Sequence, residues 1–120
     1  MIKDAAGLAV RSLLLEASLA PKPGLVTPYD NGSHKDMNFK TFVDSALALF
    51  PCFAECAAAG RAFARRPPEE TLPSLREAGR DGEKAMYRAT GGVNTHKGAI
   101  YLLGFLCAAV GRFQATDLSP

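Results

Sequence analysis

Apolar positions recur at helical spacing along most of this 120-residue chain, in four stretches separated by glycine, proline and charged residues. Because residues three and four apart share one face of an α-helix, this pattern predicts amphipathic helices. The predicted helices cover residues 2–19, 37–60, 72–88 and 96–112. Pro51 is expected to kink the second helix or split it in two, since proline removes a backbone donor. No stretch has the alternation of a β-strand, so the predicted fold is an all-α bundle of about four to five helices.

The helix predicted over residues 96–112 is apolar nearly all round, which is typical of a helix in the centre of a bundle. Residues 114–120 after it resemble a linker into another helix. We therefore expect residues 1–120 to form a single helical domain or the N-terminal half of a larger all-α domain. An exposed apolar face on this helix would favour a homodimer or a missing C-terminal half.

The composition excludes several classes of protein. Hydrophobic residues at 48% and charged residues at 22% indicate a soluble globular chain, and a net charge of +2 is too small to favour nucleic acid. The apolar run over residues 99–110 is too short to cross a bilayer, and no signal peptide is evident. We expect a cytoplasmic protein without a membrane partner. Three cysteines without a C-x-x-C pair indicate buried thiols rather than disulfides or zinc.

A glycine-rich stretch precedes the last predicted helix and contains the first candidate site. Two glycines can take positive φ, a polar residue can cap the helix, and unpaired N–H groups in its first turn favour an anion. The candidate residues are Gly91, Gly92, Asn94, Thr95, His96 and Lys97. The stretch is not a P-loop, because His96 and Gly98 stand where that motif needs glycine and Ser/Thr. An ordinary turn beside a solvated His-Lys pair explains the spacing equally well.

A long loop between the first two helices contains the second candidate site. His34-x-Asp36 could be an acid/base pair or a pair of metal ligands. Asp36 is also expected to cap the next helix, which needs no functional role. A metal-dependent phosphohydrolase built on this pair is a further alternative, although one such pair supplies few ligands. Glu16 and Glu83 lie on apolar stripes, where a carboxylate needs a partner, and Ser45 lies close to the apolar face of the second helix.

Three blocks of sequence occur in a characteristic order and spacing. The first runs from Leu15-Glu16 to Pro21-Lys22-Pro23-Gly24-Leu25-Val26, and the second is Gly32-Ser33-His34-Lys35-Asp36-Met37 with Ser45 and Ala46. The third is Gly79-x-x-x-Glu83-x-x-Met86-x-x-Ala89-Thr90-Gly91-Gly92-Val93-Asn94-Thr95-His96-Lys97-Gly98. Together they resemble the triphosphoribosyl-dephospho-CoA synthase family. Thr27 departs from this family, which typically has an acidic residue after the Gly-Leu-Val.

The resemblance implies an all-α transferase that joins ATP to 3′-dephospho-CoA and releases adenine. Its product would be the precursor of the prosthetic group of citrate lyase or malonate decarboxylase. Mg²⁺ is expected with the triphosphate. The positions implied for nucleotide binding are Lys22, Gly24, Gly91, Gly92, Asn94, Thr95, His96 and Lys97. Asp36 and Glu83 are implied as catalytic or metal-binding carboxylates, with His34 as a polar orienting group. The alternative is a truncated, non-catalytic nucleotide-binding or assembly module.

Overall fold

A computed structural model describes residues 4–116, which form five α-helices and one short 3₁₀-helix. The α-helices are α1 (Ala5–Ser18), α2 (Phe39–Ala48), α3 (Phe50–Ala62), α4 (Leu72–Thr90) and α5 (Lys97–Thr116), and the 3₁₀-helix covers Pro68–Thr71. No strand occurs within residues 4–116, and the all-α prediction is confirmed. Residues 2 and 3 of the first predicted helix lie outside the described residues, as do residues 117–120.

The helix predicted over residues 37–60 is two helices that meet at Leu49. Pro51 lies in the first turn of α3, where its missing N–H would have no helical partner in any case. The prediction that Asp36 caps α2 was wrong. Asn38 caps it, because Asn38 Oδ1 accepts from the Thr41 N–H at 3.0 Å and Thr41 Oγ1 accepts from the Asn38 N–H at 3.1 Å.

The central helix is α3, which contacts each of the other four α-helices. The prediction that the last helix would be central was therefore wrong. Helix α5 packs closely on α3 because small residues meet along the contact. A Cβ at Gly60 would collide with the Ala108 carbonyl, and a Cβ at Gly111 would collide with the Ala57 carbonyl. This contact fixes the position of α5, whose first residues carry the candidate site.

The opposite side of α5 exposes large apolar side chains that nothing within residues 4–116 covers. Leu102 is 65% exposed, Phe105 52%, Leu106 53% and Phe113 70%. Their spacing of three and four places them on one face, which we call the outer face of α5. The radius of gyration is 15.6 Å, above the roughly 14 Å of a compact domain of this length. The unit is therefore thin and leaves apolar surface in contact with water.

Two stretches, residues 39–62 and 97–116, are long and apolar enough to cross a membrane by length and composition alone. Core helices of soluble proteins pass the same test. In this structure α3 is the central helix and one side of α5 is packed on it. The absence of a membrane partner stays a prediction.

Candidate active site

His96 lies immediately before α5 and is only 6% exposed. Its Nδ1 is 2.7 Å from Ser45 Oγ on α2, and Thr95 Oγ1 donates to the same Ser45 oxygen at 2.6 Å. The backbone N–H of His96 donates to Met86 Sδ at 3.2 Å, and its ring stands edge-on to Phe42 with centroids 5.1 Å apart. Contacts from α2 thus orient the imidazole, while the α4 contact holds the backbone of His96.

The other ring nitrogen of His96, Nε2, is buried and has no hydrogen-bond partner within residues 4–116. Burial lowers the pKa of His96, and the negative charge of Glu16 opposes this effect. The ring is therefore neutral at neutral pH, so it can hold a ligand by a hydrogen bond but not by charge. A buried polar atom without a partner costs roughly 1–3 kcal/mol. Such an atom in a folded protein requires an explanation, and a ligand or an ordered water supplies one.

The loop between α4 and α5 is held in shape by its own residues. Gly91 ends α4 in the left-handed region with φ 69°, and Gly92 follows with φ 96°. The N–H groups of both glycines donate to the Tyr87 carbonyl. Thr90 Oγ1 accepts from the Val93 N–H at 3.0 Å and lies 2.8 Å from the Val93 carbonyl oxygen. A Cβ at either glycine would meet nothing within 4 Å, so the backbone conformation requires glycine and the space above it is open.

The first turn of α5 presents unpaired donors to solvent. Asn94 Oδ1 accepts from the Lys97 N–H at 3.2 Å, so Asn94 caps this end of the helix and Thr95 does not. The N–H groups of Gly98 and Ala99 have no acceptor within residues 4–116. The Lys97 side chain is 54% exposed beside them. The arrangement suits an anion, because free N–H groups and the helix dipole both favour negative charge there.

Glu83 on α4 lies beside α5, with 23% of its side chain exposed. Its Oε1 accepts from the Tyr101 hydroxyl at 2.8 Å and lies 4.0 Å from Lys97 Nζ. Acceptance by Glu83 raises the pKa of Tyr101, because the bond favours the protonated phenol. Glu83 Oε2 has no partner among the described residues. The structure thus brings two predicted site residues, Glu83 and Lys97, next to each other.

Lys22, a predicted phosphate ligand, contacts the end of α1 in this structure, and its phosphate role stays a prediction. Its Nζ donates to the Glu16 carbonyl at 2.8 Å and lies 3.3 Å from Glu16 Oε1. The Lys22 side chain is only 14% exposed. The ammonium therefore satisfies the C-terminal end of α1, where a cation is favoured by the helix dipole. Lys22 is therefore the partner that was predicted for the Glu16 carboxylate.

The loop that contains Gly24 closes on itself. The Gly24 carbonyl accepts from the Ser33 N–H at 3.2 Å and from Ser33 Oγ at 3.0 Å. A Cβ at Gly32 would lie 2.5 Å from the Gly24 carbonyl carbon, so only glycine fits there. Thr27 is buried, and its Oγ1 accepts from the N–H groups of residues 29 and 30 at 3.1 Å each. In this chain the departure at Thr27 thus has a structural role in the turn.

His34 and Asp36 are not joined to the other predicted site residues. Asp36 is exposed and His34 is half-buried, with its backbone N–H on the Asn31 carbonyl at 3.1 Å. Within residues 4–116 no hydrogen bond or ion pair connects either side chain to Glu83. No group of three or more potential metal ligands forms within that range. The catalytic and metal-binding roles of Asp36, Glu83 and His34 stay predictions.

Two residues beside the site were not among the predicted site residues. Tyr101 was missed, although it lies four residues after Lys97 and therefore on the same side of a helix. Ser45 was noted only as a hydroxyl close to the apolar face. It is fully buried and contacts His96, which lies 51 positions away. Nothing in the local sequence indicates that pairing.

The described residues define an all-α protein in which a buried neutral histidine, an exposed lysine and a carboxylate surround the start of one helix. Unpaired donors and a positive charge therefore meet at the start of α5. The sequence model of the family described as ATP:dephospho-CoA triphosphoribosyl transferase matches residues 2–119. The chain belongs to this family, and the resemblance seen in the sequence is confirmed.

Individual relatives agree with the family match. The probable 2-(5″-triphosphoribosyl)-3′-dephosphocoenzyme-A synthase of Streptococcus equi subsp. zooepidemicus is 49% identical over 114 residues, which are 95% of this chain and 39% of the relative. The protein of the same name from Vibrio cholerae is 45% identical over 111 residues, 92% of this chain and 36% of the relative. Protein CitXG of Haemophilus influenzae is 48% identical over 104 residues, 87% of this chain and 22% of the relative. No solved structure matches this chain.

Proposed function

We propose that this chain forms the nucleotide-binding part of a transferase that joins ATP to 3′-dephospho-CoA and releases adenine. The product is 2′-(5″-triphosphoribosyl)-3′-dephospho-CoA, for the prosthetic group of citrate lyase or malonate decarboxylase. The family match and the names of the relatives support this reaction. The chain spans 39% of the Streptococcus relative, so the complete activity is proposed for an assembly that contains further residues. We propose a cytoplasmic location.

One observation carries the nucleotide assignment: unpaired hydrogen-bond donors surround the start of α5. These are His96 Nε2, when it carries the proton, and the N–H groups of Gly98 and Ala99. Lys97 adds a positive charge at the same end of the helix. A triphosphate offers many acceptor oxygens and a high negative charge, which satisfies all of these groups together. Lys22 is a weaker candidate for phosphate, because Glu16 already engages its ammonium.

The proposed reaction forms one bond and breaks another at C1 of the ATP ribose. The ribose 2′-hydroxyl oxygen of dephospho-CoA bonds to C1, the bond from C1 to adenine breaks, and the hydroxyl proton passes overall to adenine. Positive charge develops on the ribose as adenine leaves, so a nearby carboxylate stabilises the transition state. Glu83 is the better-placed candidate, because it lies beside Lys97 and has a free Oε2. Asp36 and His34 remain candidates for accepting the hydroxyl proton.

Mg²⁺ is part of the proposal as a partner of the triphosphate. The described residues do not provide a metal cage of three or more ligands. Mg²⁺ does not require one, since it often binds through one or two carboxylates together with phosphates and water. Glu83 and Asp36 are the carboxylates proposed for this role. When bound, the ion would neutralise phosphate charge, and ATP binding measured with and without Mg²⁺ tests the requirement.

The outer face of α5 is proposed to pack against the additional helical residues of the longer transferases. Each relative cited above is more than twice as long as its match to this chain, and the face is apolar as a protein core requires. Sedimentation of this chain with the remaining segment of the Streptococcus relative should show a heterodimer. Phe105→Glu should abolish that complex, whereas Ala58→Glu, at an exposed position on α3, should not. A homodimer of the chain alone that Phe105→Glu disrupts would instead assign the face to a second copy.

The nucleotide assignment is tested by calorimetry with a matched pair of lysine variants. Lys97→Met should weaken ATP binding about tenfold or more, since a hydrogen bond to a charged group contributes roughly 1.5–3 kcal/mol. Lys40→Met should bind like the unmodified chain, because Lys40 is exposed on α2 and its ion pair within residues 4–116 is with Asp44. Equal ATP affinity in both variants would remove Lys97 from the site.

The reaction is tested by incubating the co-expressed segments with ATP and dephospho-CoA and separating the products by chromatography. Adenine release that requires dephospho-CoA supports the transferase. ATP binding without adenine release would favour the non-catalytic binding module, and phosphate release would favour a phosphohydrolase. Failure to bind ATP in every form would refute the nucleotide assignment itself.

A further inference from the structure

Three side chains next to the proposed nucleotide site form one hydrogen-bonded chain. Thr95 Oγ1 donates to Ser45 Oγ at 2.6 Å, and Ser45 Oγ lies 2.7 Å from His96 Nδ1. A serine hydroxyl has a single proton to donate. The Ser45 oxygen receives the proton of Thr95, and within residues 4–116 the Ser45 proton has no other acceptor than His96 Nδ1, so we take it to be directed at that nitrogen. That nitrogen is then the acceptor of the neutral ring.

A neutral imidazole with an acceptor at Nδ1 carries its proton on Nε2. Nε2 is buried and unpaired within residues 4–116, and His96 as a whole is 94% buried. The structure thus contains a fixed donor for which residues 4–116 provide no acceptor. Its partner must therefore be an acceptor atom that this part of the chain does not supply.

We propose that Ser45 and Thr95 are positioning residues that hold His96 as the Nε2–H tautomer, so that the ring donates to a phosphate oxygen of the bound nucleotide. The inference rests on the proposed function for its ligand, but the tautomer belongs to the free protein. It assigns His96 the role of neutral donor. Nδ1 is occupied by Ser45 and Nε2 already has its proton, so His96 does not act as the general base of the reaction.

Lys97 and His96 would then bind the nucleotide in two different ways. Lys97 attracts the triphosphate by its positive charge, whereas His96 donates an oriented hydrogen bond from Nε2 to one phosphate oxygen. A directional donor that is already oriented does not have to be ordered when the ligand binds, which favours affinity. The hydroxyl of Thr95 bonds to Ser45 and not to the His96 ring. Its removal should nevertheless change the tautomer of His96, because the effect passes through Ser45.

Nitrogen-15 NMR of histidine-labelled protein reads the tautomer directly. The chain has two histidines, and the signals lost in His96→Asn identify those of His96. We expect a protonated Nε2 and an unprotonated Nδ1 at neutral pH without nucleotide. A proton on Nδ1 instead, or on both nitrogens, would overturn the assignment of the tautomer.

Substitutions at Thr95 provide a matched comparison that does not alter Ser45. Thr95→Val removes the hydroxyl at constant shape and should shift His96 towards a mixture of tautomers. Thr95→Ser keeps the hydroxyl and should preserve the Nε2–H form. Ser45→Ala should give the larger shift, provided that circular dichroism shows it to be folded. Identical His96 spectra for Thr95→Val and Thr95→Ser would refute the positioning role.

The ligand is tested by adding inorganic triphosphate or adenosine separately to the same sample. Triphosphate should move the Nε2–H resonance of His96, and adenosine should not. A shift with adenosine alone would overturn the phosphate assignment, as would no shift with either compound when calorimetry shows that ATP is bound. If ATP does not bind at all, the proposed function fails together with this ligand contact, and the tautomer of the free protein is judged separately.

Discussion

Replacing Gly111 by alanine should destabilise the protein, whereas the same replacement at Gly98 in the same helix should not. A Cβ at Gly111 would collide with the carbonyl oxygen of Ala57 on α3. Backbone cannot turn aside as a flexible side chain can, so one of the two helices must shift. A Cβ at Gly98 would meet nothing within 4 Å. The pair therefore isolates the close approach of α3 and α5 from the general effect of alanine in a helix.

The expected magnitudes follow from two opposing effects. Overpacking typically costs about 1–3 kcal/mol, and alanine returns roughly 0.5–1 kcal/mol relative to glycine within a helix. Because the obstacle at Gly111 is backbone, we expect a net loss of about 2 kcal/mol there. With an unfolding entropy near 2.1 cal/mol/K per residue, Tm should fall by about 8 °C. Gly98→Ala should leave Tm unchanged or raise it by about 2–4 °C.

Thermal melting followed by circular dichroism, with urea unfolding as a second measure, tests this pair. A Tm for Gly111→Ala at or above that of the unmodified chain would refute the close packing of α5 on α3. Equal losses in both variants would show that the effect does not come from this contact. The result bears on function, because the same contact fixes the helix whose first turn carries Lys97.

Three other predictions concern individual side chains. Burial lowers the pKa of His96 in the folded state. The free energy of unfolding should therefore be highest above about pH 6.5 and should decline as the pH falls below it. Urea unfolding of His96→Asn should lack this decline. Thr90→Val removes the hydrogen bonds of Oγ1 to Val93 and should cost about 1–2 kcal/mol, with faster hydrogen exchange at the Val93 N–H; unchanged exchange would refute the role of Thr90. Glu83→Gln should lower the pKa of Tyr101 towards its ordinary value in an ultraviolet titration, with Tyr101→Phe identifying the signal; an unchanged titration would contradict the bond.

Much of the fold could be predicted because it depends on local sequence. The spacing of apolar residues and the position of Pro51 are properties of single segments, and the structure follows them closely. The cap of α2 was mispredicted because Asp36 and Asn38 are both good capping residues. Only the reciprocal bond from Thr41 decides between them. The position of α5 was mispredicted because an apolar composition does not tell which face another helix will cover.

The candidate site was predictable where one turn of chain builds it. Gly91, Gly92 and Asn94 act through neighbours in sequence, and the conformation required at each could be read from residue type. The contact of Ser45 with His96 depends instead on how α2 packs beside the start of α5. The contact of Lys22 with Glu16 also depends on the fold of the loop after α1, and the phosphate role of Lys22 stays a prediction.

The outer face of α5 separates folding from assembly in this protein. The inner side of the helix is packed on α3 within the described residues, and that contact needs no other surface. Phe105 and Leu106 then stay in water until another surface covers them. Open apolar surface of this kind favours aggregation and recognition by chaperones and proteases. When a cell makes more of this chain than of the partner that covers α5, the excess should be degraded or aggregate. The steady-state amount of the chain should therefore follow the amount of that partner.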